Sequence, residues 1–254
     1  MRIVSWNCAG GFKKKYHLLD TLKFDLLIIQ ECEDPARTTS KYYKDWAQNY
    51  LWKGNNKNKG IGIFTKKHFS LEKLEWSNSF TLPIKKDQSS CHTWSTDDLE
   101  LFLPFSYNRS KTIIGVWTKS ADCKKFAYIG QVWKFLQLHS QELTQNNNTS
   151  NYLIGDFNSN RIWDGKSRWK NHSDVVEELS ALGLTSLYHH SRMEDHGHET
   201  TPTFYMYRKP EKPYHIDYAF CPEDTLDAHK LTIGDSQEWL NHSDHVPLII
   251  DIDE

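Results

Sequence analysis

The chain has 254 residues, 38% hydrophobic and 25% charged, with a formal net charge of -2. This length gives one large α/β domain or two small ones, and the composition excludes a disordered or fibrous chain. The charge balance excludes a dedicated nucleic-acid binder held by excess cations, but not an enzyme that visits nucleic acid and leaves.

In chain order, Arg2 to Ser5 opens a strand that delivers Trp6-Asn7. Gly10-Gly11 breaks the backbone, and apolar residues at 12, 16, 19 and 22 predict a helix over Phe12 to Leu22. Leu26 to Gln30 is the next strand. A short helix over Lys41 to Ala47 leads through the polar turn Gly54 to Lys59 into a buried strand, Gly60 to Phe64. The signal weakens from Leu71 to Leu103, where Lys85 to Asp98 reads as an exposed excursion. Thr112 to Trp117 is a strand, and Phe126 to Leu143 is the best helix, with Phe126, Ile129, Trp133, Leu136 and Leu143 on one face.

The polar connector Asn146 to Ser150 precedes the strand that delivers Asp156 and Asn158. Ser173 is the expected N-cap of a helix that Gly183 closes. Strands fit Thr201 to Tyr205, Tyr214 to Phe220, Ala228 to Ile233 and Val246 to Ile252, where Pro247 holds Val246 extended. No linker separates two domains, so residues 1–254 read as one. Five cysteines without CxxC spacing read as reduced thiols in a cytoplasm. With no apolar leader and no run of spanning length, neither export nor a membrane is expected.

Five polar blocks are fastened to apolar runs: Trp6-Asn7, Gln30-Glu31, Gly155-Asp156-Phe157-Asn158, His215-Ile216-Asp217-Tyr218 and Ser243-Asp244-His245-Val246-Pro247. A short apolar run that stops at a carboxylate or amide is a buried strand presenting that group at a sheet rim. Acids crowded on one rim repel unless a cation sits among them, and an oxygen-rich set favours Mg2+ or Mn2+. Taken singly, each has a plainer explanation. Asn7 could prepare the Gly10-Gly11 turn, Asp217 could pair with His215 or Arg208, and His245 could be a satisfied surface imidazole.

The order of these blocks resembles the endonuclease/exonuclease/phosphatase superfamily, and the likeness spans Ile3 to Ile250. The resemblance implies a four-layer α/β sandwich, two mostly antiparallel mixed sheets face to face with helices outside, and a metal site at one end. It implies Glu31 as the main metal carboxylate with Asn7 and Asp244 as companions, and His245 approaching the phosphate with Asp217 behind it. Asp156 would position or deprotonate the attacking water, and Asn158 would donate to a phosphoryl oxygen. The implied enzyme is a Mg2+- or Mn2+-dependent phosphodiester hydrolase acting by in-line attack of water.

Where many relatives carry a His or Asn after the strand matching Thr112 to Trp117, this chain has Thr118-Lys119. Lys119 either replaces that phosphate contact or points to water. His215 stands where an Arg is frequent.

For the substrate, Arg161 and Trp163 lie in a basic, tryptophan-bearing segment, Asn160 to Lys170, that suits a phosphate backbone beside stacked bases. A solvated loop explains it equally. Phe204 and Tyr205 are a floor for a base or sugar, or core. DNA or RNA is the expected partner of a monomer. A small phosphorylated molecule or lipid headgroup is the alternative, and a catalytically silent binding module fits less well. His189, His190, His196 and His198 with Glu194 and Asp195 have irregular spacing and no cysteine, and read as a mobile polar loop rather than a zinc site.

Overall fold

In the computed structural model, which describes residues 1–66, 68–83, 91–121, 123–145, 150–166 and 168–253, two six-stranded sheets face each other. The first has the order His229–Ile233, Leu248–Ile252, Arg2–Asn7, Leu26–Cys32, Lys59–Thr65, Asn49–Asn56. The second has the order Leu184–Ser186, Asp217–Pro222, Ser150–Asp156, Lys111–Trp117, Phe102–Tyr107, Leu71–Lys73. Among the described residues each sheet has one parallel pair at its centre, Arg2–Asn7 with Leu26–Cys32 and Lys111–Trp117 with Ser150–Asp156. The pairs flanking them are antiparallel. Parallel neighbours end at the same rim, so Asn7 and Glu31 finish together in one sheet, as Trp117 and Asp156 do in the other.

Apolar side chains fill three layers. Between the sheets, Ile3, Ile28, Ile61 and Ile63 meet Leu103, Phe105, Ile113 and Ile154. Each such side chain taken from water contributes about 1.5–3 kcal/mol. Gly115 permits this approach, since a Cβ there would stand 3.0 Å from the Cδ1 atoms of Ile61 and Ile63. Helices Ile129–Gln145 and His172–Ala181 cover the outer face of the second sheet, setting Val132, Phe135, Val175 and Leu179 against Ile114, Val116 and Phe220. Phe12, Leu19 and Tyr43 cover the outer face of the first. The result is the four-layer α/β sandwich expected from the sequence.

Several boundaries differ for local reasons. The helix expected over Phe12 to Leu22 is a 3-10 turn, Phe12–Lys14, followed by the α-helix Tyr16–Asp20. The long helix starts at Ile129 rather than Phe126, because Tyr128 has φ 54° and breaks the turn before it. Asn171, not Ser173, caps the next helix in a capping box with Asp174. Ser173 instead donates to Asp164.

The strand expected over Tyr214 to Phe220 is split. Pro213–Tyr214 pairs with Phe204–Tyr205, and Asp217–Pro222 joins the second sheet. Of the expected excursion Lys85 to Asp98, residues 85–90 lie outside the described residues, as do 146–149 of the polar connector. The rest of the excursion is not exposed throughout. Cys91–Ser95 pairs with Ser79–Pro83, and Trp94 is 2% exposed, its indole N–H donating to the Lys134 carbonyl. Among the described residues, no helix is long and apolar enough to cross a membrane.

Candidate active site

The rim where both parallel pairs end gathers the polar blocks. Gly155 makes it possible for Ser150–Asp156 to end there: its φ is 149°, and a Cβ would fall 1.9 Å from the Val116 carbonyl oxygen. Only glycine tolerates that approach. The next residue, Asp156, is fully buried and accepts three hydrogen bonds: from Asn7 Nδ2 at 2.9 Å, from the Asn158 backbone N–H at 2.8 Å and from Asn158 Nδ2 at 2.8 Å. Asn158 has φ 45°, a costly conformation for a residue with a Cβ, stabilised here by bonds to Asp156 and to the Thr118 carbonyl.

Across the antiparallel pairing Asp156 faces Asp217, whose Oδ2 is 2.9 Å from His245 Nδ1. His245 Nε2 lies 4.0 Å from Asp156 Oδ2. Ligand-type atoms of Asp156, Asp217 and His245 all fall within 4.8 Å of one another, and all three residues are buried. Burial and then the Asp217 charge raise the Asp156 pKa. Burial opposes charge on His245, yet the carboxylates of Asp217 and Asp156 outweigh it and raise the His245 pKa above its ordinary 6.5. The two acids thus favour the charged form of the imidazole.

Glu31 reaches the rim by a bulge. Its neighbours Gln30 and Cys32 pair with consecutive residues, Ile61 and Gly60, so Glu31 is extra, with φ 62°. Its carboxylate pairs with the Lys59 ammonium. Asn7 lies beside Gln30, and its main-chain carbonyl accepts from Ser243 Oγ at 2.7 Å, which brings Asp244 alongside. Asn7 thus stands between the strand end that carries Glu31 and the turn that carries Asp244. The two carboxylates stand outside the tight cluster formed by Asp156, Asp217 and His245.

Neighbouring residues hold these groups in place. Trp6 Nε1 donates to the His245 carbonyl, Tyr205 N to the Asp244 carbonyl, and Lys15 Nζ to the carbonyls of Cys8 and Gly10 just beyond Asn7. Thr203 Oγ1 accepts from the backbone of both Ile216 and Asp217 at 3.0 Å. Of these, Thr203, Lys15 and Lys59 do not stand out in the sequence pattern, because each acts through the backbone or an ion pair, whereas Ser243 lies inside the fifth polar block.

The expected substrate contacts divide. Phe204 lies 4.6 Å, ring to ring, from His245, and Tyr214 bridges Phe204 at 6.2 Å and Trp163 at 5.3 Å. These rings make a continuous aromatic path from the exposed Trp163 to the imidazole. Tyr205 packs instead on the outer core of the first sheet, and the Arg161 stem lies against Gly197. Lys119 is 3.7 Å from Glu100 and pairs at the surface. A cavity of about 540 Å3, lined by Phe24, Trp46 and Thr65, is at the opposite rim and contains none of these residues.

The expected polar loop is only partly one. His190 pairs with Asp227, and His198 is exposed. His189 and His196 turn inward and stack on each other, with ring centroids 3.4 Å apart, next to His172. Sequence reasoning misses His172 and His215, both buried, as members of this cluster, because each belongs to a different element.

The family model described as "Endonuclease/Exonuclease/phosphatase family" matches residues 4–245. A search of curated proteins finds no match. Among solved structures, a 3'-5' exonuclease, NExo, from Neisseria meningitidis is similar with TM-score 0.68 and 17% identity, each chain covered 100%. An AP endonuclease from Archaeoglobus fulgidus gives TM-score 0.66 and 14% identity, again with 100% of each chain covered. The 3' phosphatase NExo from Neisseria, bound to a product DNA hairpin, gives 0.68 and 18%, with 100% of each covered. At these identities the structures speak for the fold, while the family match extends over nearly the whole chain. With all five polar blocks inside or bordering the matched span, the chain belongs to the endonuclease/exonuclease/phosphatase family and is a hydrolase of phosphate esters.

Proposed function

We propose that the chain is a nuclease that cleaves phosphodiester bonds of DNA or RNA with water, assisted by Mg2+ or Mn2+. The observation that carries this reading is the buried arrangement of Asp156 and Asp217 about His245, with Asn7 and Asn158 fastening Asp156. Asp156, with its raised proton affinity, takes the proton of the attacking water. His245 offers Nε2 to the phosphoryl group while Asp217 fixes the imidazole through Nδ1. Asn158 donates to the phosphoryl oxygen by exchanging one of its two Nδ2 bonds, to Asp156 or to the Thr118 carbonyl, as charge gathers there.

Glu31, Asn7 and Asp244 are the residues that would hold the cation. The donor set fits a hard ion: it is all oxygen, and among the described residues the Glu31 carboxylate is paired with Lys59 and the Asp244 carboxylate accepts a long 3.4 Å bond from Ser243. Bound there, a divalent cation would supply charge stabilisation at phosphorus. The aromatic path through Trp163, Tyr214 and Phe204 supports a substrate with stackable bases. The DNA-bound Neisseria structure points the same way. The net charge of -2 favours release over tight binding, and leaves a small phosphorylated molecule as the second reading.

A substrate panel of duplex DNA, single strands, RNA, abasic DNA and phosphoinositides tests the proposal. Hydrolysis of nucleic acid is expected with Mg2+ or Mn2+, with none in EDTA. Turnover confined to phosphoinositides would reverse the reading, and normal turnover by Glu31→Ala would remove the cation site from this rim.

A further inference from the structure

Beyond the catalytic rim, four histidines gather around one acid. His189 Nε2 is 3.1 Å from Glu199 Oε1, and His172 Nε2 is 3.1 Å from His196 Nδ1. Ligand-type atoms of His189, His196 and Glu199 lie within 4.8 Å of one another. The outer nitrogens are already held: Ser186 Oγ meets His189 Nδ1 at 2.8 Å, and Ser159 Oγ meets His172 Nδ1 at 3.3 Å. Metal-binding imidazoles have this form, with one nitrogen fixed by a hydrogen bond and the other turned inward. Four donors around an ion with Zn–N bonds of about 2.0–2.1 Å stand about 3.3 Å apart along each tetrahedral edge. The His189–Glu199 pair, at 3.1 Å, is close to that spacing.

We propose that His189, His196 and Glu199, with His172 supporting His196, form a second metal site, separate from the catalytic rim, that takes Zn2+ or a similar borderline divalent ion. The set is two imidazoles and one carboxylate with a fourth position open to water, the nitrogen-rich chemistry that zinc selects over Mg2+. Burial disfavours the charged form of both His172 and His196, and neighbouring imidazoles add to the effect on His196. Neutral rings retain the lone pair that ligates.

His215 is an independent pointer. Its Nδ1 donates to the Thr201 carbonyl at 2.7 Å, leaving Nε2 as a bare acceptor, buried and without a partner. The His215 ring stands edge-on to His189, 6.1 Å away. A purely hydrogen-bonded histidine network would give that lone pair a donor.

The site would act as a staple. It joins the start of helix His172–Ala181, helix Leu187–Arg192 and the segment 194–203, which ends at Thr203, the residue that fixes the backbone of Asp217. A structural cation here would therefore hold the support of His245 without touching substrate.

The test uses the full chain, stripped with chelator, dialysed against Zn2+ with Mg2+ in excess, and measured for bound metal. A Glu31→Gln background removes uptake at the catalytic rim. One equivalent of Zn2+ is expected in that background, with visible bands of tetrahedral Co2+ when cobalt replaces zinc. Glu199→Gln with His196→Asn should abolish both signals, and Ser186→Ala should weaken binding about 10- to 100-fold. Three results would each overturn the proposal: no zinc in the Glu31→Gln chain, octahedral cobalt bands, or unchanged uptake in the double variant. The first two measurements leave the histidine cluster intact, so they can refute the site even if the double variant fails to fold. Loss of nuclease activity in Glu31→Gln alongside retained zinc separates this proposal from the catalytic one.

Discussion

Two buried polar clusters lie near each other in this fold and resolve their electrostatics in opposite ways. At the catalytic rim, two acids surround one imidazole, and His245 is driven to carry charge. In the second cluster four imidazoles share one acid, and His172 is pushed down to about 4, first by burial. Burial disfavours charge on both imidazoles; at His245 the adjacent carboxylates outweigh it, and at His172 they do not. The difference teaches that a histidine in a sequence carries no fixed role; its neighbours across the fold assign one.

Removing the charged imidazole strains the comparison most. His245→Ala is expected to lower kcat/KM by about 10²–10⁴-fold with the circular dichroism spectrum unchanged, the range for a positioned acid–base group. Asp217→Asn should follow it closely, because the same imidazole loses its orienting acid. Near-normal rates in both would mean that the charged cluster is structural.

Next in size is the backbone that brings the two acids together. Gly155→Ala should cost more than about 3 kcal/mol in urea unfolding, since strain at that φ adds to a clash with Val116. A smaller loss would show that Asp156 can reach the rim by another path.

Trp163→Ala should weaken binding of single-stranded oligonucleotide by about 1–3 kcal/mol, the worth of one stacked base, and leave hydrolysis of a small phosphodiester unchanged. Equal effects on both substrates would detach the aromatic path from base recognition.

The smallest effect concerns a lone buried histidine that belongs to neither cluster. His139 is fully buried, and that burial, the largest influence, lowers its pKa below 6.5 in spite of Glu142. The unfolded chain then binds this proton first. The contribution is fully present above pH 6.5 and is lost as pH falls toward the lower folded value, by up to about 1.4 kcal/mol per pH unit. His139→Gln should flatten the acid side of a stability-against-pH curve measured in EDTA. An unchanged slope would assign the acid loss to other groups.

Much of the first cluster is legible in the sequence because each member sits at one end of an apolar run. Asn7 and Asp156 close strands, whereas Asp217 opens one and His245 precedes another. Glu31 is readable too, though not the bulge that aims it, which depends on how Gly60 and Ile61 pair across the sheet. The second cluster is hidden because its members come from a helix start, another helix, a loop and a strand entry, with no periodicity to join them. Trp94 is misplaced by sequence reasoning for a similar reason: its polar, weakly patterned surroundings conceal a ring buried against Trp133. Tyr214 and Thr203 act through neighbours far away in sequence, and no local signal marks them.

The contact between Lys59 and Glu31 has a consequence for how the rim fills. Lys59 stands just after the tip of the hairpin joining Asn49–Asn56 to Lys59–Thr65, and its ammonium neutralises Glu31. A dication held at this carboxylate, as proposed, would take the place of a tethered monovalent ion, so loading would be an exchange rather than an addition. The displaced amine would then stand beside the centre with its charge unspent, available to whatever anion arrives next.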